Sequence, residues 1–142
     1  MKKHSRAVLM TLLAMLLASV TVGCAKKEAV SISAQIEALK SADKDTRFNA
    51  CVEISKVGPK AAAAVPVLIT LLKDEDTEMR RAAAYAITEI GSKAKAAIPT
   101  LRELVNDRNA FVALQALNAL RAIDPTAKNL QAPPNVPTGV KP

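Results

Sequence analysis

Histidine and tryptophan are almost missing from this chain. It has no Trp and a single His, His4. Imidazole acid–base chemistry and histidine-ligated metal sites therefore have nothing to build on past the first few residues. Aromatic residues make up 2% of the chain, too few for the stacking platforms that single-stranded nucleic acid needs. Cysteine is limited to Cys24 and Cys51, so no internal disulfide can form if Cys24 is used elsewhere. The four glycines are scattered, with no Gly-rich phosphate loop and no Gly-x-Ser-x-Gly elbow. Net charge is +7, but the excess lies toward the ends. From Ser31 to Ile123 there are 13 basic and 11 acidic residues, a balance that does not favour a nucleic-acid partner. The expectation is a protein that is not an enzyme, with no cofactor, no metal and no small-molecule substrate.

What the chain does have is a period. Shifted by 33 residues, Val57-Gly58 falls on Ile90-Gly91, and Val65-Pro66 on Ile98-Pro99. Asp74 falls on Asp107, and Arg47 on Arg80. Ile54, Ile87 and Leu120 form one column, and Val57, Ile90 and Ile123 another. Such a period is the mark of a solenoid, in which each unit buries its apolar face on its neighbours. Each unit has two helical halves. Val65, Leu68, Ile69 and Leu72 follow helical spacing over 61–73, as do Met79, Ala83, Ala86, Ile87 and Ile90 over 77–91. Asp76 or Thr77 caps the second helix and Gly91 closes it. Pro66 and Pro99 either kink the first helices or make their first turns separate short helices. The first unit pairs a helix bearing Ile32, Ile36 and Leu39 with one over 45–57.

These columns, with Gly58-Pro59, Ala61, Ala64, Pro66, Leu68, Leu71-Leu72, Asp74, Met79-Arg80, Ala83, Ala86, Ile87 and Ile90-Gly91, resemble HEAT repeats, especially the short bacterial kind. The resemblance covers residues 32 to 124. It implies an all-α fold, an α-solenoid of three HEAT-like hairpins (32–57, 60–91, 94–123). It departs at Ser41, where the pattern expects Asp, and at Ala113, where it expects Arg. Both lie in terminal copies, which are often atypical. The repeat-equivalent Arg47 and Arg80 are expected to pair with a turn carboxylate of a neighbouring unit.

Residues 1–24 decide where the array would live. Lys2, Lys3 and Arg6 precede an apolar run from Ala7 to Val22, short for a membrane span and suited to a secretory signal. Thr21-Val22-Gly23-Cys24 looks like the end of a bacterial lipoprotein signal. The resemblance implies cleavage after residue 23, lipidation of Cys24 (palmitate among the acyl groups) and a tether over 24–31. It places the domain outside the cytoplasm on the cell envelope. Ala25 in place of Asp favours the outer membrane where there is one. Asp124-Pro125 stops the last helix, and four of the chain's eight prolines follow Lys128; residues 125–142 read as a disordered tail.

The acidic turns at Asp43/Asp45 and 74–78 fall at equivalent repeat positions, and helix capping accounts for them. Cys51 shares a column with Ala84 and Leu117 and reads as a buried apolar residue. The resemblance implies that second helices line the inner face. There Phe48, Val52 and Ser55 line up with Arg81, Tyr85 and Thr88, and with Leu114, Asn118 and Arg121. Aromatics and Arg are enriched at binding hot spots. Phe48, Val52, Arg81, Tyr85, Asn118 and Arg121 are thus the candidate contacts for a protein or peptide partner. The leading reading is a membrane-anchored scaffold that binds protein. A structural subunit of a larger envelope complex is the alternative, and a HEAT-like lyase-type enzyme a remote one.

Overall fold

The computed structural model describes residues 31–126. The expected signal, Cys24, the tether before Ser31 and the tail after Thr126 lie outside the described residues. Within them the helices are α1 (Ile32–Ala38), α2 (Lys44–Val57), α3 (Val65–Leu71), α4 (Thr77–Ile90), α5 (Ile98–Leu104) and α6 (Ala110–Ile123). Two 3-10 helices, Gly58–Ala64 and Gly91–Ala97, follow α2 and α4. No strand occurs among the described residues. The hairpins α1–α2, α3–α4 and α5–α6 stack as an all-α solenoid. The second helices pack side by side, α2 on α4 and α4 on α6. The first helices and the 3-10 turns form the other layer.

Each second helix starts the same way because each turn supplies a short polar side chain. Asp43 accepts the Thr46 amide at 2.8 Å. Asp76, rather than Thr77, accepts the amides of Glu78 and Met79 at 2.9 and 3.0 Å. Asn109 accepts those of Phe111 and Val112 at 3.0 and 3.3 Å. These bonds satisfy N–H groups that a helix leaves unpaired at its start. They also push α2 one residue further back than expected, to Lys44. The acidic turns are thereby accounted for as caps and turn locks.

The first helices differ more. The spacing over 61–73 suggested one helix, yet α3 covers only Val65–Leu71. Ala61 (φ −87°, ψ 18°) and Ala94 (φ −93°, ψ 26°) break the helical path. Of the two roles open to the prolines, the separate short helix is the one adopted. Pro66 and Pro99 sit in the first turns of α3 and α5, where no N–H is needed. Gly58 (φ 63°, ψ −135°) and Gly91 (φ 65°, ψ −136°) take nearly identical conformations. That region is closed to residues with a Cβ, and it swings the chain from each second helix straight into the 3-10 turn.

The core runs unbroken through the stack. Leu39, Ile54, Leu68, Leu72, Met79, Ile87, Ile90 and Leu101 are at most 1% exposed. Between second helices the filling is alanine: Ala50, Ala83, Ala84, Ala86, Ala116 and Ala119 are buried. Ile32 and Ile36 at the first helix are only half-buried.

A ladder of arginines ties unit to unit. Arg80 is buried and grips Asp107 of the next unit with two hydrogen bonds, Nε–Oδ2 at 2.8 Å and Nη2–Oδ1 at 3.0 Å. Its Nη1 donates to the carbonyls of Asp74 and Glu75 at 3.0 and 2.9 Å. Arg47 repeats this one unit earlier. It donates to the carbonyls of Ser41 and Ala42, both at 2.9 Å, and lies 3.7 Å from the Asp74 carboxylate. The departures at Ser41 and Ala113 are the two ends of this ladder. Ser41 Oγ accepts the Asp43 amide at 3.1 Å, as Asp74 and Asp107 accept those of Asp76 and Asn109 at 2.9 and 2.8 Å. Ser41 thus keeps the turn without the charge. Ala113 holds the arginine position with no arginine.

These contacts set a pH dependence. Burial raises the Asp107 carboxyl, but hydrogen bonds from Arg80 and the Asn109 amide, with the field of Arg80 and Arg108, leave it below its ordinary value. The Lys44 ammonium, bonded at 2.7 Å, lowers Asp76, and the Thr46 hydroxyl and amide lower Asp43. A carboxyl that holds its proton less tightly when folded adds stability above its unfolded value, near pH 4. That contribution is lost as pH falls through the lowered folded value. Urea midpoints are therefore expected to stay level from about pH 5 to 8 and to fall below about pH 4. Asp107→Asn should flatten part of that fall, at the cost of a lower midpoint at neutral pH. A midpoint that drops already near pH 6 would contradict this assignment.

Candidate functional site

α2, α4 and α6 lie side by side, and their flanks leave a groove of about 270 Å³ lined by Phe48, Cys51, Val52, Arg81, Ala82, Tyr85 and Gln115. Four of the six residues singled out from the sequence meet there: Phe48 and Val52 from α2, Arg81 and Tyr85 from α4. Asn118 and Arg121 do not line it. They lie further along α6, Asn118 half-buried and Arg121 exposed.

Each wall has a physical origin. Phe48 is half-buried and packs against the core, so it is a fixed wall rather than a free ring. Tyr85 is 48% exposed, so its ring offers an apolar face and a phenol hydroxyl to whatever enters the groove. Arg81 donates to Glu78 at 2.6 Å, one turn back on the same helix. Both side chains are about half exposed, 47% and 52%, so the pair is weakly held and a ligand can draw the guanidinium away. Cys51 forms the floor at 1% exposure. Burial pushes its thiol up to about 12, slightly offset by Arg47, which makes it a packing group and not a nucleophile at neutral pH.

The hydroxyls are already committed. Ser55 is buried and donates to the Val52 carbonyl at 2.7 Å. Thr88 donates to the Ala84 carbonyl at 2.9 Å and accepts from Gln115 Nε2 at 3.0 Å. Both bond back to their own helix, so neither faces a ligand. Gln115 was missed in the sequence because it stands one residue past the Leu114 column. Its own column contains Ala82, which also lines the groove. The groove is built from the facing flanks of neighbouring helices, whereas helical spacing singles out the outermost face of each.

No group of His, Cys, Asp and Glu among the described residues has the arrangement of a metal site. What the groove offers is an apolar floor, an aromatic ring, an amide and a cation. That combination suits recognition of a peptide.

The period, the paired helices and the stacked hairpins are matched by a family model for HEAT repeats over residues 32–121. The chain belongs to the HEAT repeat family. A search of the curated proteins finds no match. HEAT repeats are helical scaffolds that generally mediate protein interactions, and the family is typically non-enzymatic. The groove lies between second helices of successive HEAT units, so its walls are set by inter-unit packing rather than by any loop.

Proposed function

We propose that this protein is a membrane-anchored scaffold of the cell envelope, fixed by acyl groups on Cys24, that holds a segment of a partner protein in the groove between α2, α4 and α6. The half-exposed Tyr85, beside Phe48 and a loosely held Arg81, carries this reading. At about 270 Å³ the groove has room for one or two side chains of an extended segment. Helical spacing predicts Asn118 and Arg121 as contacts beyond the groove itself, on the part of the segment that continues along α6. The Thr21-Val22-Gly23-Cys24 stretch and the basic start support the anchor, and two or three acyl chains would hold the protein essentially for good, at about 0.8 kcal/mol per buried CH₂. If the organism has an outer membrane, Ala25 favours that location.

Quantitative affinity capture from native membranes tests both parts. Tyr85→Ala with Arg81→Ala should lower recovery of the specific partner by about 30-fold or more, the effect of losing a hot spot of at least about 2 kcal/mol, with helicity unchanged. Lys40→Ala should leave recovery intact. Equal recovery with both groove residues removed would sink the site. The same sample gives the N-terminal peptide by mass spectrometry. An unmodified Cys24 would remove the anchor and leave the groove standing.

A further inference from the structure

Charge on the walls of the candidate groove is one-sided. Asp45, Glu53, Glu78 and Glu89 are the acids on α2 and α4, and α6 has none. None of the four lines the groove. Lys44, Arg47, Lys56, Arg80 and Arg121 stay off its walls as well, so among the described residues Arg81 is the charged group that faces it. The floor feels a positive field too: burial raises the Cys51 thiol, and Arg47 pulls it partly back.

A ligand can take Arg81 over at little cost. Its partner Glu78 is 52% exposed and lies in the first turn of α4. Water and the positive end of the helix keep that carboxylate satisfied once the guanidinium turns away. Gln115 supplies the opposite polarity. Thr88 has one hydroxyl proton and gives it to the Ala84 carbonyl. Whatever reaches its oxygen must then be a donor, which fixes the near end of the Gln115 amide, at 3.0 Å, as Nε2. The other end of that amide, Oε1, is left to accept.

The backbone of the walls is closed to a ligand. Phe48, Arg81 and Gln115, the first lining residues of α2, α4 and α6, stand beyond the opening turn of their helices, so their N–H groups are already bonded within the helix. A free chain end is caught by nests of backbone N–H groups, and a phosphate by clusters of arginines. The described walls have neither. Arg81 and Tyr85 are one turn apart on α4, about 6 Å along its axis. Side chains two residues apart in an extended segment point the same way and stand about 6.6 Å apart. One can meet Arg81 while the other lies between the Tyr85 ring and the floor of Cys51, Val52 and Ala82.

We propose that the groove selects an extended internal segment in which an Asp or Glu stands two residues from an aliphatic side chain. The carboxylate takes Arg81 from Glu78, the aliphatic chain covers the floor, and a backbone N–H of the segment donates to Gln115 Oε1. This rests on the reading that the groove holds a partner segment, and adds which kind of segment.

Affinity selection of short random peptides, acetylated and amidated at their ends, on the full acylated chain in detergent micelles tests it. Peptides with an acid and Leu, Ile or Val at that spacing should be retained about 5-fold better than the same peptides with Asn or Gln for the acid. Arg81→Glu should reverse the preference to Lys or Arg, with the aliphatic position unchanged. Glu78→Gln, which releases the guanidinium, should widen the original preference about 2-fold. Retention of aliphatic peptides without regard to charge, lost in Tyr85→Ala, would overturn the proposal and leave the groove standing. An acid preference that survives Arg81→Glu would overturn it too. So would a spacing of three or four residues, the mark of a helical occupant, or a preference confined to peptides with a free carboxyl end. Retention that neither Arg81→Glu nor Tyr85→Ala alters would sink the groove as well.

Discussion

Arg80→Ala is expected to lower the stability of the repeat domain by about 3–5 kcal/mol, the usual cost of removing one member of a buried ion pair. The side chains of Arg80 and Asp107 are 7% and 8% exposed. Without the guanidinium, that buried carboxylate keeps only the Asn109 amide at 2.8 Å and too little water to replace the lost partner. The Asp74 carbonyl loses its donor as well, and the Glu75 carbonyl keeps only the long 3.5 Å contact from Arg108. Small domains hold only about 5–15 kcal/mol in total, so a fall in melting temperature well beyond about 10 °C follows. Arg47→Ala is the internal control. Its contact with Asp74 is longer, at 3.7 Å, and both side chains are more exposed, 18% and 21%, so about 1 kcal/mol is expected. Arg80→Met combined with Asp107→Leu should recover much of the loss, since apolar pairs often replace buried ion pairs without penalty. Urea denaturation measures all of these. A loss below about 1 kcal/mol for Arg80→Ala would mean that the ladder does not hold the units together.

Ile87→Ala should cost about 2–5 kcal/mol, toward the upper end. Ile87 is 0% exposed on α4, which packs against α2, α3 and α6. The cost of such a truncation depends on how far the neighbours can close the hole. Here several of them are alanines, among them Ala83, Ala84, Ala86 and Ala116, which have no side-chain torsion to turn inward. The hole would lie in the middle unit, and a solenoid's stability is carried by contacts between adjacent units. The urea slope should therefore fall along with the midpoint as the two ends uncouple. Tyr85→Ala, two residues earlier on the same helix but half exposed, should change stability by less than about 1 kcal/mol. Equal losses at the two positions would contradict the assigned packing.

The contrast between these residues shows why much of the fold was readable in advance. Burial at Met79, Ala83, Ala86, Ile87 and Ile90 follows from spacing alone, because a helix fixes which side chains share a stripe. The 33-residue register then carries that stripe to the neighbouring units. The arginine pairing was visible for the same reason: Arg47 and Arg80 recur together with Asp74 and Asp107. The break in the first helices was less visible. Ala61 and Ala94 are good helix formers, and they leave the helical path only because the positive-φ glycines and the prolines fix the chain on either side. The groove was half legible. Phe48, Val52, Arg81 and Tyr85 share a face within their own helices. Gln115 enters only through the way α4 and α6 lie together, and Ser55 and Thr88 leave the set through hydrogen bonds to their own helices. Neither effect is written in a single helix's spacing.

The unmatched rungs at residues 41 and 113 bear on polymerisation. A molecule added head to tail would bring its serine turn to a place where its neighbour offers only a methyl group. The seam would lack the charge lock that joins every internal pair of units. Fibre growth, a standing hazard for any modular stack with two open faces, thus begins at an electrostatic disadvantage built from just two residues.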